Sequence, residues 1–352
     1  VLTDVARPAS PAAEAPALAP RARRRRRHTQ FKVRLGLGIV GAFLLLAVIG
    51  PTLAPDDPSA LGTSILSGPT GSHLLGTTNT GQDVLSELLT GARSTIEVGL
   101  IAGAAATALS VILGVSAGYF EGIAGELLSM LSNIFLVIPA LPLLIVLTAF
   151  VPHASQVTIA IFIAITGWAW GARVMRAQTL SLRQQDFVQA AKAVGEPAWR
   201  IIFWELLPNE GAIVASSFLF TVIAAVLADA GLLFLGLGDV NVWSWGSMLY
   251  WAQNNEALST GAWWWFVPPG LCIALFGTGL ALCNFGIDEM INPRLRAAGL
   301  SRKDRRAMTT GLGVTPVHRA PQAGSRLDVA ASLAAVSAGP RSSALQAPGE
   351  TS

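Results

Sequence analysis

Six apolar runs, approximately 33–53, 95–119, 127–151, 157–175, 212–237 and 263–287, dictate what this chain can become. At 1.5 Å of rise per residue, each is long enough as a helix to cross a hydrocarbon core of about 30 Å. Charged residues make up 13% of the sequence and apolar residues 52%, against roughly 25% charge in an ordinary soluble domain. A water-soluble enzyme is excluded on that ground. The fold class expected is an all-α polytopic membrane protein with six transmembrane helices.

The basic residues supply the topology. Nine Lys/Arg lie before residue 35 and nine after residue 292, while the 258 residues between hold six against sixteen acids. Five of those six (Arg173, Arg176, Arg183, Lys192, Arg200) surround the connection between the fourth and fifth runs, and Arg93 stands at the edge of the second. Segments 51–92 and 238–262 contain acids but no Lys or Arg. Six spans put both tails and the 176–211 loop on one side and the K/R-free segments on the other, which by the positive-inside rule makes both termini cytoplasmic. Reading the first run as a cleaved secretory signal would put the two basic tails on opposite sides, against this pattern. The Arg23–Arg27 run reads as a lipid-facing anchor of the first span rather than as a nucleic-acid site. The domain organisation expected is a disordered basic tail over 1–32, a transmembrane domain over 33–298 and a second disordered tail over 299–352. The transmembrane domain divides into a first helix 33–53, an outer segment 54–94 and a five-helix core 95–298 carrying the loop 176–211.

Smaller features refine the bundle. Six of the ten Trp (243, 245, 251, 263, 264, 265) cluster where an outer loop meets the last span, as an interfacial belt does. Gly99-x-x-x-Gly103 and Gly114-x-x-x-Gly118 permit close helix approach in lipid. Pro139 and Pro142 are expected to bend the third span. Catalytic and nucleotide-binding signatures are absent from the sequence, so no catalytic residue, cofactor site or metal site is assigned to it. Cys272 and Cys283 read as buried thiols, and four scattered His show no ligand spacing. Intramembrane acids are functional candidates by default, which singles out Asp229 and Glu97 for a translocation pathway.

The segment from Trp168 to Asn209 is the most informative. Phe187, Ala190, Ala191 and Val194 recur at i, i+3, i+4 and i+7, one narrow apolar face on a short helix. Gln185, Gln189 and Lys192 lie off that face. Gly195 suits the stop of this helix and Pro197 the first turn of the next. Two adjacent alanines admit a partner backbone closely, so the helix reads as a knuckle shaped for a groove.

These residues resemble the EAA loop of ABC importer permeases: Gln189-Ala190-Ala191, then Gly195, Ile201-Ile202 and Leu207-Pro208-Asn209. Three further stretches resemble the subgroup importing dipeptides, oligopeptides or nickel. They are Leu75–Ser86 leading to Gly91-Ala92-Arg93, Phe234–Gly238 with Trp245–Leu249, and Asn292-Pro293-Arg294-Leu295. Departures are Gln189 for the usual glutamate, Thr78, Gln82 and Glu87 at charged positions of the first motif, and Asp229 for a glutamate before Phe234. Asp83 remains as the first motif's acid.

The resemblance implies a type I importer transmembrane fold in a bacterial or archaeal plasma membrane. Coupling to a cytoplasmic ATPase would run through Phe187, Gln189, Ala190, Ala191, Val194, Gly195 and Pro208. It implies as partners a second homologous permease, two ATPase subunits binding ATP and Mg, an extracytoplasmic binding protein and the bilayer. Asp229, Glu97 and Asp83 are the pathway candidates, and the resemblance places Asp229 near the inner part of the bundle. Peptide is the substrate expected, with nickel or oligosaccharides as alternatives; an ion-coupled secondary transporter is the alternative mechanism.

Overall fold

The computed structural model describes residues 21–151 and 154–291, with side chains from residue 31 to residue 287. Residues 1–20 and 299–352 of the expected tails, and the Asn292–Leu295 motif, lie outside the described residues, while residues 21–32, expected as disordered tail, continue the first helix toward the N-terminus. Among those residues every regular element is helical: α1 (Arg21–Leu53), α2 (Val84–Tyr119), α3 (Ile123–Val137), α4 (Ala140–Ala149), α5 (Gln156–Leu182), α6 (Asp186–Ala193), α7 (Ala198–Arg200), a π-helical stretch (Ile201–Leu206), α8 (Leu207–Phe234), α9 (Trp245–Asn254) and α10 (Trp263–Ile291). Five helices are long and apolar enough to cross a membrane, and α3 with α4 forms a sixth candidate span broken by 85°.

That break exceeds the bend expected of span three. Pro139 sits as the N-cap of α4 in an extended conformation, so no helical hydrogen bond bridges α3 to α4 there. At α2 the structure starts the helix at Val84, ahead of the apolar run, because Asp83 caps it: its side chain accepts from the Ser86 backbone N–H. Residues 84–94, expected in the outer segment, therefore continue the rod rather than a loop.

Lipid tails are as apolar as leucine, so close packing rather than water exclusion holds such helices together. α2 is central to that packing. Gly99 and Gly103 sit against Val226 and Val222 of α8, while Gly114 and Gly118 sit against Ala172 and Thr179 of α5. The two glycine pairs thus seat different neighbours. Ser110 Oγ adds a 2.6 Å bond to the Trp168 carbonyl across α2 and α5. α1 lies along α10 and α2, its Phe43 ring edge-on to Trp245 at 5.6 Å and to Phe276 at 5.7 Å.

The tryptophan cluster departs from a simple interfacial belt. Trp245 and Trp265 are fully buried, and the Trp245 indole donates to the Leu88 carbonyl at 3.2 Å. Trp264 and Trp251 donate to the carbonyls of Thr77 and Val240. Each of these three indole N–H groups has found a protein acceptor in place of headgroup water, which turns the residues into struts of the loops. Trp263 remains exposed.

Candidate functional site

α6 projects at one end of the bundle, between the turn after α5 and the turn before α7. Val188 is its fully buried anchor, in a cluster with Val115 and Tyr119 of α2, Met175 of α5, and Ile201 and Leu206 of the π-helical stretch. With Val188 pinned inward, the 3.6-residue period turns Phe187, Ala190 and Val194 outward. Phe187 is 40% and Val194 78% exposed. Ala190 and Gln189 are exposed too, but Ala191 is half-buried against the cluster beneath. The outward apolar face is therefore Phe187, Ala190 and Val194, and Ala191 belongs to the seat.

The helix ends as its glycine dictates. Gly195 adopts φ +82°, its N–H donates to the Lys192 carbonyl at 3.0 Å and the Glu196 N–H to Ala191 at 3.1 Å, an arrangement that a left-handed residue closes with little strain only as glycine. Pro197 caps α7 from just outside it. Gln189 Nε2 donates to the Arg183 carbonyl at 2.7 Å, which ties α6 to the end of α5. Pro208 lies in the first turn of α8.

Beneath α6 is a pair that sequence reasoning passed over. Thr179 of α5 donates its hydroxyl to Glu210 Oε1 of α8 at 2.7 Å, and both residues are fully buried. The available signal was an acid directly after Leu207-Pro208-Asn209, in the first turn of an otherwise apolar span. The π-helical stretch was equally silent in sequence. It buries Ile201 and Leu206, while Phe203 and Trp204 stand exposed together with Trp199 just ahead of it.

The three acids expected in a pathway lie toward the opposite end of the bundle, and the structure does not bring them together. Asp229 is buried, facing a small cavity shared with Gln156, Asp239 and Ser244. It sits inside the bundle, five residues from the end of α8 that is remote from α6. Glu97 is exposed on α2. Asp83 is engaged in capping: its Oδ2 accepts from the Ser86 N–H and hydroxyl, each at 2.8 Å, and its Oδ1 lies 3.1 Å from His73 Nδ1.

Asp56 joins this group, and ligand-type atoms of Asp56, His73 and Asp83 lie within 4.8 Å of one another. Residues this distant in sequence gave no metal spacing; the fold of segment 54–83 makes them neighbours. Thr78 supplies neutral bonding where the motif carries charge, its hydroxyl accepting from the Gln82 N–H at 3.1 Å. Asp83→Ala is expected to cost about 1 kcal/mol of stability through the lost cap, lowering the melting temperature of the purified protein. Asp83→Ser should keep most of it. Equal melting of parent and Asp83→Ala would show that the cap contributes nothing to stability.

Comparison with known proteins matches the geometry. A putative peptide transport system permease protein of Brucella abortus is 34% identical over 281 residues, 79% of this chain and 92% of the relative. An oligopeptide transport system permease protein of Bacillus subtilis is 31% identical over 267 residues, covering 74% of this chain and 85% of the relative. A dipeptide transport system permease protein of Alkalihalophilus pseudofirmus is 31% identical over 265 residues, 75% and 86% respectively. Residues 110–297, which include α5 to α9 and the whole α6 region, match a single family description. The chain is a multi-pass membrane protein that belongs to the family of binding-protein-dependent transport system inner membrane components.

Proposed function

We propose that this chain is the membrane-spanning permease subunit of an ATP-driven ABC importer that carries peptides. The observation that supports this most is α6: an eight-residue helix seated by a buried Val188 and presenting Phe187, Ala190 and Val194 to whatever lies beyond the bundle. An apolar face of that size, on the loop that holds four of the six Lys/Arg between the tails, suits a groove on a cytoplasmic ATPase subunit. The same side then carries both termini, because that is where Lys and Arg concentrate. Peptide is favoured as substrate because the relatives bear peptide, oligopeptide and dipeptide names.

The working complex is this chain with a second homologous permease, two ATPases binding ATP and Mg, and an extracytoplasmic binding protein, all in the plasma membrane. ATP binding brings the ATPases together and moves both coupling helices, and the bundle opens outward. Hydrolysis resets it. Nucleotide can bias this equilibrium only through contacts that differ between the two states, and the outward face of α6 is where such contacts form. Phe187, Gln189, Ala190, Ala191, Val194, Gly195 and Pro208 shape and hold that face. Asp229, inside the bundle near its outer end, is the acid best placed to meet a passing substrate.

Affinity purification of the tagged chain from native membranes tests the reading. Two nucleotide-binding chains are expected with the parent, and Val194→Glu should reduce their recovery at least tenfold by putting an unpaired carboxylate into the interface. A parent that brings down no nucleotide-binding chain would sink the proposal.

A further inference from the structure

α6 is joined to the bundle by its chain ends through two turns, at 183–185 and 194–197. Turns of this kind let a short helix pivot, and a pivoting helix passes little of its motion to the spans. Beyond the buried Val188 and the Gln189 bond to the Arg183 carbonyl, two basic side chains limit that freedom, and both reach to the same place. Arg183 Nη1 donates to the Gly118 carbonyl at 3.1 Å, in the last turn of α2, and lies 3.6 Å from Glu121 Oε1 just beyond it. Lys192 Nζ, on α6 itself, stands 5.2 Å from the centre of the Tyr119 ring. An arginine on a helix C-terminal carbonyl and an ammonium over a tyrosine face are both attractive contacts. Val188 joins the same buried cluster as Tyr119 and Val115.

α2 is built to carry what it receives. It runs unbroken for 36 residues without proline, about 54 Å at helical rise. Its far end is fastened to the outer segment 54–83. Asp83 holds His73, and Ser86 Oγ accepts from the Asp56 N–H at 3.1 Å. Segment 54–83 in turn reaches across the end of the bundle, with Asn79 Nδ2 donating to Asn255 Oδ1 at 2.6 Å and Trp264 Nε1 to the Thr77 carbonyl at 3.2 Å. The broken span α3–α4 offers no such continuous route.

We propose that α2 is the rod that carries nucleotide-driven motion of α6 to the outer segment 54–83, with Arg183 and Lys192 as the positioning residues that clamp α6 to it. This rests on α6 being the ATPase-docking helix. The clamp separates two jobs: the outward face of α6 meets the ATPase, and Lys192 on α6 with Arg183 in the turn before it hands the displacement to the end of α2.

The test uses the full complex in lipid nanodiscs, with Cys272 and Cys283 replaced by Ala and spin labels on Thr80→Cys and Val157→Cys. MgATP with vanadate is expected to shift the label-to-label distance by about 2 Å or more, the scale of helix shifts at interfaces. In Arg183→Gln/Lys192→Gln the ATPases should still co-purify while the shift disappears. Arg183→Lys/Lys192→Arg, which keeps a donor for Gly118 and a cation over Tyr119, should restore it. If the double Gln variant sheds its ATPases, Tyr119→Leu, which removes the ring under Lys192, changes no residue of α6 and keeps an apolar side chain against Val188, decides in the same way. A shift that survives loss of the clamp, or a parent complex with bound ATPases and no shift, overturns the inference. A parent without ATPases instead overturns the docking role of α6 on which it rests.

Discussion

Gly195→Pro is expected to lower ATP-dependent uptake of radiolabelled peptides at least a hundredfold while leaving the amount of inserted protein unchanged. The native residue sits at φ +82°, and proline fixes φ near −65°. Proline also deletes the N–H that now donates to the Lys192 carbonyl. Together these cost about 3 kcal/mol or more, which an isolated helix of eight residues has no reserve to absorb. A loss of that size corresponds to more than a hundredfold in the population of the docking geometry, at about 1.4 kcal/mol per tenfold. Space plays no part, because nothing lies within 4 Å of where a Cβ on Gly195 would be. Gly195→Ala isolates the backbone effect: it keeps the N–H and bears only the strain of the left-handed conformation, about 1–2 kcal/mol, so uptake should fall roughly five- to thirtyfold. Uptake at the parental rate in Gly195→Pro would show that the shape of this turn is irrelevant to transport.

Much of the architecture was legible because lipid imposes simple rules. Five spans read as apolar runs reappear as α1, α2, α5, α8 and α10, since a helix is the structure that satisfies its own backbone in hydrocarbon. The glycine pairs of α2 were legible too, yet their partners were not: that Gly99 and Gly103 meet α8 while Gly114 and Gly118 meet α5 depends on how the helices are arranged. Likewise the period of α6 gave its apolar residues, but only the position of Val188 decides that Ala191 turns inward and Val194 outward.

Polar residues were the hardest to read, for a physical reason. An acid in an apolar stretch signals interest without saying whether a partner awaits it. Glu210 meets Thr179 across two helices and thirty-one positions, and Asp83 meets His73 only after segment 54–83 folds back. Asp229, with no such neighbour in its sequence, ends up against a cavity with Asp239 and Gln156. Three of the tryptophans were hard to read for the same reason: the N–H groups of Trp245, Trp251 and Trp264 meet carbonyls from elsewhere in the chain.

Gly114→Leu is expected to abolish the folded state by forcing α2 and α5 apart. A Cβ on Gly114 would run into the Ala172 carbonyl oxygen and come within 2.8 Å of both Ala172 Cα and Met175 Cβ. Backbone atoms cannot step aside as a flexible side chain can, so the two helices must separate. Overpacking typically costs about 1–3 kcal/mol when side chains can yield, and here the whole α2–α5 seam opens, including the Ser110 bond to the Trp168 carbonyl. The loss also reaches function, because α2 joins the α6 end of the bundle to the outer segment. Gly211→Ala on α8 is the control: nothing lies within 4 Å of its Cβ position, and replacing a helical glycine by alanine favours the helix by up to about 1 kcal/mol. Thermal unfolding and size-exclusion profiles in detergent should therefore show a monodisperse Gly211→Ala protein at or above parental stability and an aggregated Gly114→Leu protein. Equal melting of Gly114→Leu and parent would mean that α2 and α5 do not meet at Gly114, and the seam would have to be placed elsewhere.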